Sequence, residues 1–538
     1  MFDNPFAGKS YLVIDDFGDM RTLIKGLLRS LGATDIDSER TGKGAVDAMR
    51  RRNYDVVLCD YNLGKGKDGM QVLEEARKCR LISIATVFVM ITAESTRAMV
   101  MGAVEFEPDS YLSKPFTKEL LRSRLEKLFQ RKVDLEPVNE ALQRQDYALA
   151  IKLLDHRLEQ KPRNAGDLIK LKAEISFDAG DYPKAEKIYQ RLLSSREVPW
   201  ARLGLGKVQY KRKQYREAKE TFEYLLSYNK ILPPAYDWLA KTQRHLGMLE
   251  AAQATLNAAV ELSPKAIQRQ KTLGDVAMLN QDYVAAEQAF DNAVDLGTFS
   301  VYKHPVMYCG LARSKSAQGK KDGAKEVVGQ IEMEFEGDPV ARFYTATAEA
   351  MLNKQSGDDT AARDFLEKAE RLREQIGNGL ERDAVLEMVR AASAVGDEQR
   401  ANELLRSVVQ NNHDDDDFLL EVIGTCRETG IADDPEALIQ ELRQGVVEMN
   451  NRGVRLIKQG RFAEAIDLFI EAADGMTGNR IINLNAVRAA IMKMEKHGVE
   501  QGTVAVASKY LDRLKAIAPN DVRLKEAMRR FRTVTSGV

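Results

Sequence analysis

Between residues 10 and 130, short apolar runs alternate with stretches whose apolar positions recur every three to four residues. The runs at 11–14, 34–36, 56–59, 86–91 and 111–112 predict strands. The stretches at 20–31, 44–52, 70–79, 95–101 and 118–130 predict helices. Five strands alternating with helices imply a parallel sheet covered on both faces. In such a sheet, chemistry collects beyond the carboxyl ends of the strands.

After Arg131 the strand signals stop and a helical phrase recurs: a turn, a bulky residue, two more residues, then alanine. It places Ala150, Ala185, Ala218, Ala252 and Ala286 at intervals of 35, 33, 34 and 34 residues. A small residue stands twelve positions before each of the last four: Ala173, Gly206, Ala240 and Gly274. A bulky one stands four after: Tyr189, Phe222, Leu256 and Phe290. Small residues let paired helices approach, and the bulky residue plugs the gap against the next pair. No unit buries its apolar face alone, so the units must stack into a superhelix with a concave surface. The rhythm loosens around Ala324, Ala362 and Ala401, spaced by 38, 38 and 39 residues. It returns in NRGVRLIKQGRFAEAIDLFIEAA, with Gly453, Ala465, Phe469 and Ala472 in phase. The run NNHDDDD at 411–417 predicts a solvated loop between helical blocks. The spacing resembles the tetratricopeptide repeat, a helix–turn–helix of about 34 residues.

Charge adds little. The 80 basic and 81 acidic residues leave a net charge of −1, which offers no global attraction to nucleic acid or to an anionic membrane. The basic stretch KVQYKRKQYREAK at 207–219 has its tyrosines and Ala218 in repeat positions, so its charges read as a helix edge. Cys59, Cys79, Cys309 and Cys426 have no metal-ligand spacing and read as packing residues in a reducing compartment. His156, His245, His304, His413 and His497 are scattered and read as surface or helix-end residues. The first ten residues lack the pattern of a signal peptide, and the longest apolar run, at 81–93, is too short for a membrane span. A cytoplasmic location is expected.

The chemistry sits at the strand ends. The first predicted strand ends in Asp15-Asp16, the third in Asp60 and the fourth in Thr92, and Lys114-Pro115 follows the fifth. Carboxylates brought together there repel unless a cation sits among them, and oxygen ligands suit Mg²⁺. A carboxylate beside a metal ion and a lysine can accept a phosphoryl group, because both cations neutralise the transferring oxygens.

This ordered set resembles the CheY-like receiver family over residues 10–130. The resemblance implies a flavodoxin-like fold in which Asp60 is phosphorylated by a sensor histidine kinase. It implies that Asp16 binds Mg²⁺ directly with help from Asp15, and that Asn62 offers its backbone carbonyl. Lys114 would pair with the phosphoryl group, Thr92 would move to hydrogen-bond it, and Tyr111 would be the switch aromatic. Its ring would turn inward and reshape the face made by the fourth helix, fifth strand and fifth helix. Asn62 and Glu94 occupy positions that tune phosphoryl lifetime in the family. One departure is the loop NLGKGKDG, which has no proline and one extra residue, and whose Gly64 and Gly66 loosen the backbone.

The expected architecture is thus an α/β receiver with a five-stranded parallel sheet at 1–131, followed by an all-α repeat solenoid. Regular repeats span 132–297, degenerate ones 298–444, and a last repeat with capping helices 445–538. In layout this resembles response regulators of the VieB type. The expected function is phosphorylation-controlled binding of a protein or peptide by the repeats, without an enzymatic activity on another substrate. The alternative is a constitutive scaffold or phosphate sink whose receiver docks a kinase. Neither nucleic acid nor membrane is expected as a partner. Oligomeric state stays open, with a homodimer among the options.

Overall fold

The computed structural model describes residues 4–93, 105–519 and 521–536. Five parallel strands form one sheet: β1 (Ser10–Ile14), β2 (Asp35–Glu39), β3 (Val56–Asp60), β4 (Val87–Thr92) and β5 (Ser110–Ser113), in the order β2-β1-β3-β4-β5. Side chains alternate between the faces of a strand. Tyr11, Val13, Val56, Leu58, Val87 and Val89 therefore join one core with helix α1 (Gly18–Leu31). Leu12, Ile14, Val57, Cys59, Phe88 and Met90 join a second with α2 (Gly42–Arg51) and α3 (Gly69–Lys78). Burial of both faces explains why β3 and β4 read as continuous apolar runs. The helix expected at 95–101 and the position of Glu94 lie outside the described residues.

The expected end of the receiver at residue 131 falls inside a helix. α4 (Lys118–Gln143) begins at its N-cap Thr117, whose side chain accepts from the Leu120 amide, and runs on through Pro137. Leu121, Leu125, Leu128 and Phe129 pack under the sheet. Val138 and Ala141 of the same helix pack against Ala150, Ile151 and Leu154 of the first repeat. One helix therefore serves two cores.

From Tyr147 onward every described element is helical, apart from short turns. The predicted alanines Ala150, Ala185, Ala218, Ala252 and Ala286 are all fully buried, as are Ala324, Ala362, Ala401 and Ala465. The small–bulky pairing has a direct steric basis. A Cβ placed on Gly206 would lie 2.4 Å from the Phe222 ring, one on Gly274 2.8 Å from Phe290, and one on Gly453 2.3 Å from Phe469. The looser spacing after Ala286 comes first from a longer connection, residues 298–304, and then from longer helices. Pro339–Gln355 and Asp359–Ile376 have 17 and 18 residues, against 13 and 14 in Pro233–His245 and Leu249–Leu262.

The acidic run at 411–417 is not a free solvated loop. Asn411 ends one helix, and Asp415 caps the next by accepting from the Phe418 amide. Asp414 pairs with Arg480 at 2.6 Å. His413 is buried against Asn479, and burial pulls its pKa down. Cys309 and Cys426 are buried as expected, but Cys79 is exposed because it stands at the C-cap of α3. In the basic stretch, Arg212 pairs with Glu186, and Lys219 pairs with Glu223 at 3.0 Å.

Two compact units emerge. One comprises Met1–Asn280 with Gln288–His304, and the other comprises Gln281–Glu287 with Pro305–Val538. The receiver and the first repeats therefore form a single unit. In the second unit, Glu287 accepts from Lys315 at 3.0 Å, and from Lys320 and Gln318 at 2.6 Å. Burial alone would raise its carboxyl, but these donors outweigh burial and bring it down to about 2. A carboxyl depressed in the folded state stabilises above its unfolded pKa of ~4.3, and that gain disappears as pH falls through the folded value. Glu287→Gln is expected to cost about 1 kcal/mol at pH 7 after solvent screening. The difference should close as pH falls from ~4.3 toward 2 in urea titrations.

Candidate functional site

Two strands deliver the acidic groups to one edge of the sheet. Asp15 and Asp16 follow β1, and Asp60 is the last residue of β3. One carboxylate oxygen from each lies within 4.8 Å of the other two. Lys114 follows β5. Its ammonium donates to Asp15 Oδ2 at 2.7 Å and to Asp60 Oδ2 at 2.9 Å. The Lys114 amide donates to the Thr92 carbonyl at 2.7 Å, which locks β4 and β5 in register beside the cluster.

The groups are not equivalent. Asp15 is fully buried and already engaged: Oδ1 accepts from the Phe17 amide at 2.9 Å, and Oδ2 accepts from Lys114. Arg21 donates to the Asp15 backbone carbonyl at 2.5 Å. Asp16 Oδ1 is buried and has no hydrogen-bond partner among the described residues. A buried carboxylate oxygen without a donor is costly unless a cation takes its place. The donor set is all oxygen, which suits a hard divalent ion such as Mg²⁺. The cluster therefore fits that metal.

Burial raises the Asp60 carboxyl above the usual carboxylate range. Lys114 opposes that rise, while Asp15 and Asp16 add to it. Burial would lower the Lys114 ammonium, but its hydrogen bonds to Asp15 and Asp60 outweigh burial and raise it. Each partner thus offsets part of the other's desolvation.

The remaining predicted residues surround the cluster. Thr92 is buried at the end of β4. Asn62 is exposed, and its side chain accepts from the Gly64 amide at 3.1 Å. Tyr111 packs inward against the second core beside Tyr61 and Phe106, and burial raises its phenol. Its hydroxyl has no hydrogen-bond partner among the described residues.

The loop between β3 and α3 is pinned despite its glycines. Asp68 and Gln71 form a reciprocal cap at the start of α3, and Lys67 pairs with Glu75 at 2.7 Å. Gly69 is sterically required, since a Cβ there would lie 2.1 Å from the Asp60 carbonyl oxygen. Sequence reasoning did not single out Gly69 or Arg21. Only the Asp-Gly dipeptide at 68–69 marked the first, and nothing in the sequence marked the second.

Comparison with known proteins agrees with this arrangement. Residues 11–126 match the response regulator receiver domain, and residues 233–265 and 449–475 match tetratricopeptide repeats. The chain is 34% identical over 120 residues to the chemotaxis protein CheY of Pseudomonas aeruginosa, covering 22% of this chain and 95% of that protein. It is 33% identical over 120 residues to CheY-3 of Vibrio cholerae, covering 22% of this chain and 91% of that one. Among solved structures, it resembles the receiver domain of a sensor histidine kinase from Pseudomonas aeruginosa, which holds a magnesium ion in its active site cleft. That match has 26% identity and a TM-score of 0.21, covering 23% of this chain and 99% of that one. A tetratricopeptide repeat protein from Parabacteroides merdae matches at 15% identity and a TM-score of 0.31, covering 45% of this chain and 92% of that one.

The fold and the acidic edge define a receiver-type signalling domain. The chain belongs to the response regulator receiver family, with its receiver fused to tetratricopeptide repeats.

Proposed function

We propose that this protein is the response regulator of a two-component phosphorelay, phosphorylated on Asp60 by a histidine kinase and signalling through proteins bound by its repeats. The observation that carries the reading is the cluster of buried Asp15 and Asp60 with half-buried Asp16, in which Lys114 bridges Asp15 and Asp60 at 2.7 and 2.9 Å. An oxygen of Asp60 forms a bond to phosphorus while the phosphorus–nitrogen bond of the donor phosphohistidine breaks. The bonding pair stays on the ring nitrogen, which takes a proton from water. Asp16, whose Oδ1 lacks a donor, would hold Mg²⁺ together with Asp60 and the Asn62 carbonyl. Bound Mg²⁺ supplies positive charge to the phosphoryl oxygens. Asp15, held by Phe17 and Lys114, orients the ammonium and contributes to the ion through its charge. Lys114 turns to the incoming phosphoryl group, Thr92 hydrogen-bonds it, and Tyr111 responds to that movement as the switch.

Contacts between the loop after Asp60 and the repeats favour switching over a constitutive scaffold, because they give the repeats a direct mechanical link to the site. No helix among the described residues is long and apolar enough to cross a membrane, and we place the protein in the cytoplasm with its kinase.

The test is phosphorylation by a small-molecule phosphodonor with Mg²⁺, comparing the wild type with Asp60→Asn. The variant should lose at least ~100-fold of the label, and chelation of the metal should do the same to the wild type. Equal labelling of a variant with unchanged circular dichroism would exclude Asp60 as acceptor.

A further inference from the structure

The receiver and the first repeats touch along a seam that begins one residue after Asp60. Lys265 lies over the Tyr61 ring at 5.6 Å and 3.8 Å from Asp68. Lys67 donates to the carbonyl of Phe299, and Ser300 donates to Glu74 at 2.9 Å. The most buried contact is made by Glu105, which lies between β4 and β5 in the chain. Its carboxylate pairs with Arg269 at 2.6 Å and accepts from Ser263 Oγ at 2.7 Å. Arg269 is only 4% exposed, and Asp237 holds its guanidinium at 2.7 and 2.8 Å. Asp237 stands on Pro233–His245 and Arg269 on Ile267–Leu279, the first helices of consecutive pairs. Asp237 fills the guanidinium's fork and fixes its orientation, and Glu105 pairs with the terminal nitrogen Nη2 of the charge so held.

The seam is closed by charged pairs at its rim. Beside them lies a partly open pocket of about 230 Å³, lined by Tyr61, Glu74 and Phe106 on one side and Pro264, Leu296 and Phe299 on the other. An interface that leaves such a gap between its apolar walls gives up little packing when it opens.

We propose that Arg269 and Ser263 form a binding site on the repeats for an acidic segment of a partner protein, and that Glu105 is its tethered occupant in the resting state. Its control by Asp60 rests on the function proposed above. The loop of residues 61–68 joins the phosphorylation site to the seam, so a change at Asp60 acts on the contacts that hold Glu105 in place. The partner offers a carboxylate because Arg269 and Ser263 together already hold one, that of Glu105. Tethering gives Glu105 a high effective concentration, so a free acidic segment competes poorly until the seam opens.

The probe is a fluorescein-labelled peptide copying residues 105–109, Glu-Phe-Glu-Pro-Asp, titrated into the full chain by anisotropy. Glu105→Gln, which keeps the side chain's shape, should bind it about tenfold more tightly than the wild type. Adding Arg269→Gln to that variant should cancel the gain. Wild-type protein treated with beryllofluoride and Mg²⁺ should gain as the Glu105 variant does. Equal affinity of wild type and Glu105→Gln, or no binding to Glu105→Gln, would overturn the proposal. A gain in Glu105→Gln without one from beryllofluoride would leave the masked site standing and remove its control by Asp60.

Discussion

Gly206→Leu is expected to unfold the first unit's repeats, at a cost of ~4 kcal/mol or more. The double variant Gly206→Ala with Phe222→Leu should stay within about 1 kcal/mol of the wild type. The asymmetry follows from one contact. A Cβ on Gly206 would stand 2.4 Å from a carbon of the Phe222 ring, and that ring is fully buried. The ring cannot yield, so the helices Pro199–Lys211 and Tyr215–Tyr228 must separate. A leucine adds three more carbons where the first already has no room. The double variant recreates what the next repeat uses, where buried Ala240 and Leu256 occupy the equivalent positions. Phe222→Leu alone should cost ~1 kcal/mol through the cavity it leaves. Gly206→Ala alone gains helix propensity but meets the ring. Urea unfolding of all four proteins gives the coupling energy, expected to be ~2 kcal/mol in favour of the pair. Additive single effects would mean that the two positions do not pack against each other.

That contact also shows why much of the architecture can be read without a structure. The period of 34 residues records which side chains meet between neighbouring helices, and such contacts recur at fixed sequence distance. The unbroken apolar run Tyr11–Ile14 likewise records two opposed cores, Tyr11 and Val13 entering one and Leu12 and Ile14 the other. The acidic edge was legible because Asp15, Asp16, Asp60, Thr92 and Lys114 all fall at strand ends, so the topology alone brings them together. What escaped depends on context that no local pattern carries. The receiver reads as ending at residue 131, yet α4 runs on through Pro137 because Val138 and Ala141 have a second core waiting. The acidic run near Asp414 reads as solvated, yet its partner Arg480 lies 66 residues downstream. Glu105 looks like any loop carboxylate until Arg269 and Ser263 are placed beside it.

Replacing Lys114 by methionine should destabilise the receiver by ~3–5 kcal/mol at pH 7, the cost of leaving buried carboxylates without their cation. Asp15 is fully buried and Asp60 is 6% exposed, so water does little to replace the ammonium. Methionine keeps most of the apolar stem, which separates loss of charge from loss of packing. The pH dependence fixes the cause. Burial already raises the Asp60 carboxyl against the pull of Lys114, and removing that pull raises it further. A carboxyl raised in the folded state favours folding below its unfolded pKa of ~3.9, and loses that advantage as pH rises through the folded value. The variant's deficit should therefore shrink as pH is lowered from 7 toward 4, as the cluster takes up protons in place of the lysine. Millimolar Mg²⁺ should recover more stability in the variant than in the wild type, because the ion no longer faces a neighbouring ammonium. Thermal unfolding at three pH values, with and without the metal, reads both effects. A deficit that is the same at every pH would assign Lys114 to packing and leave the charge balance of the acidic edge to other groups.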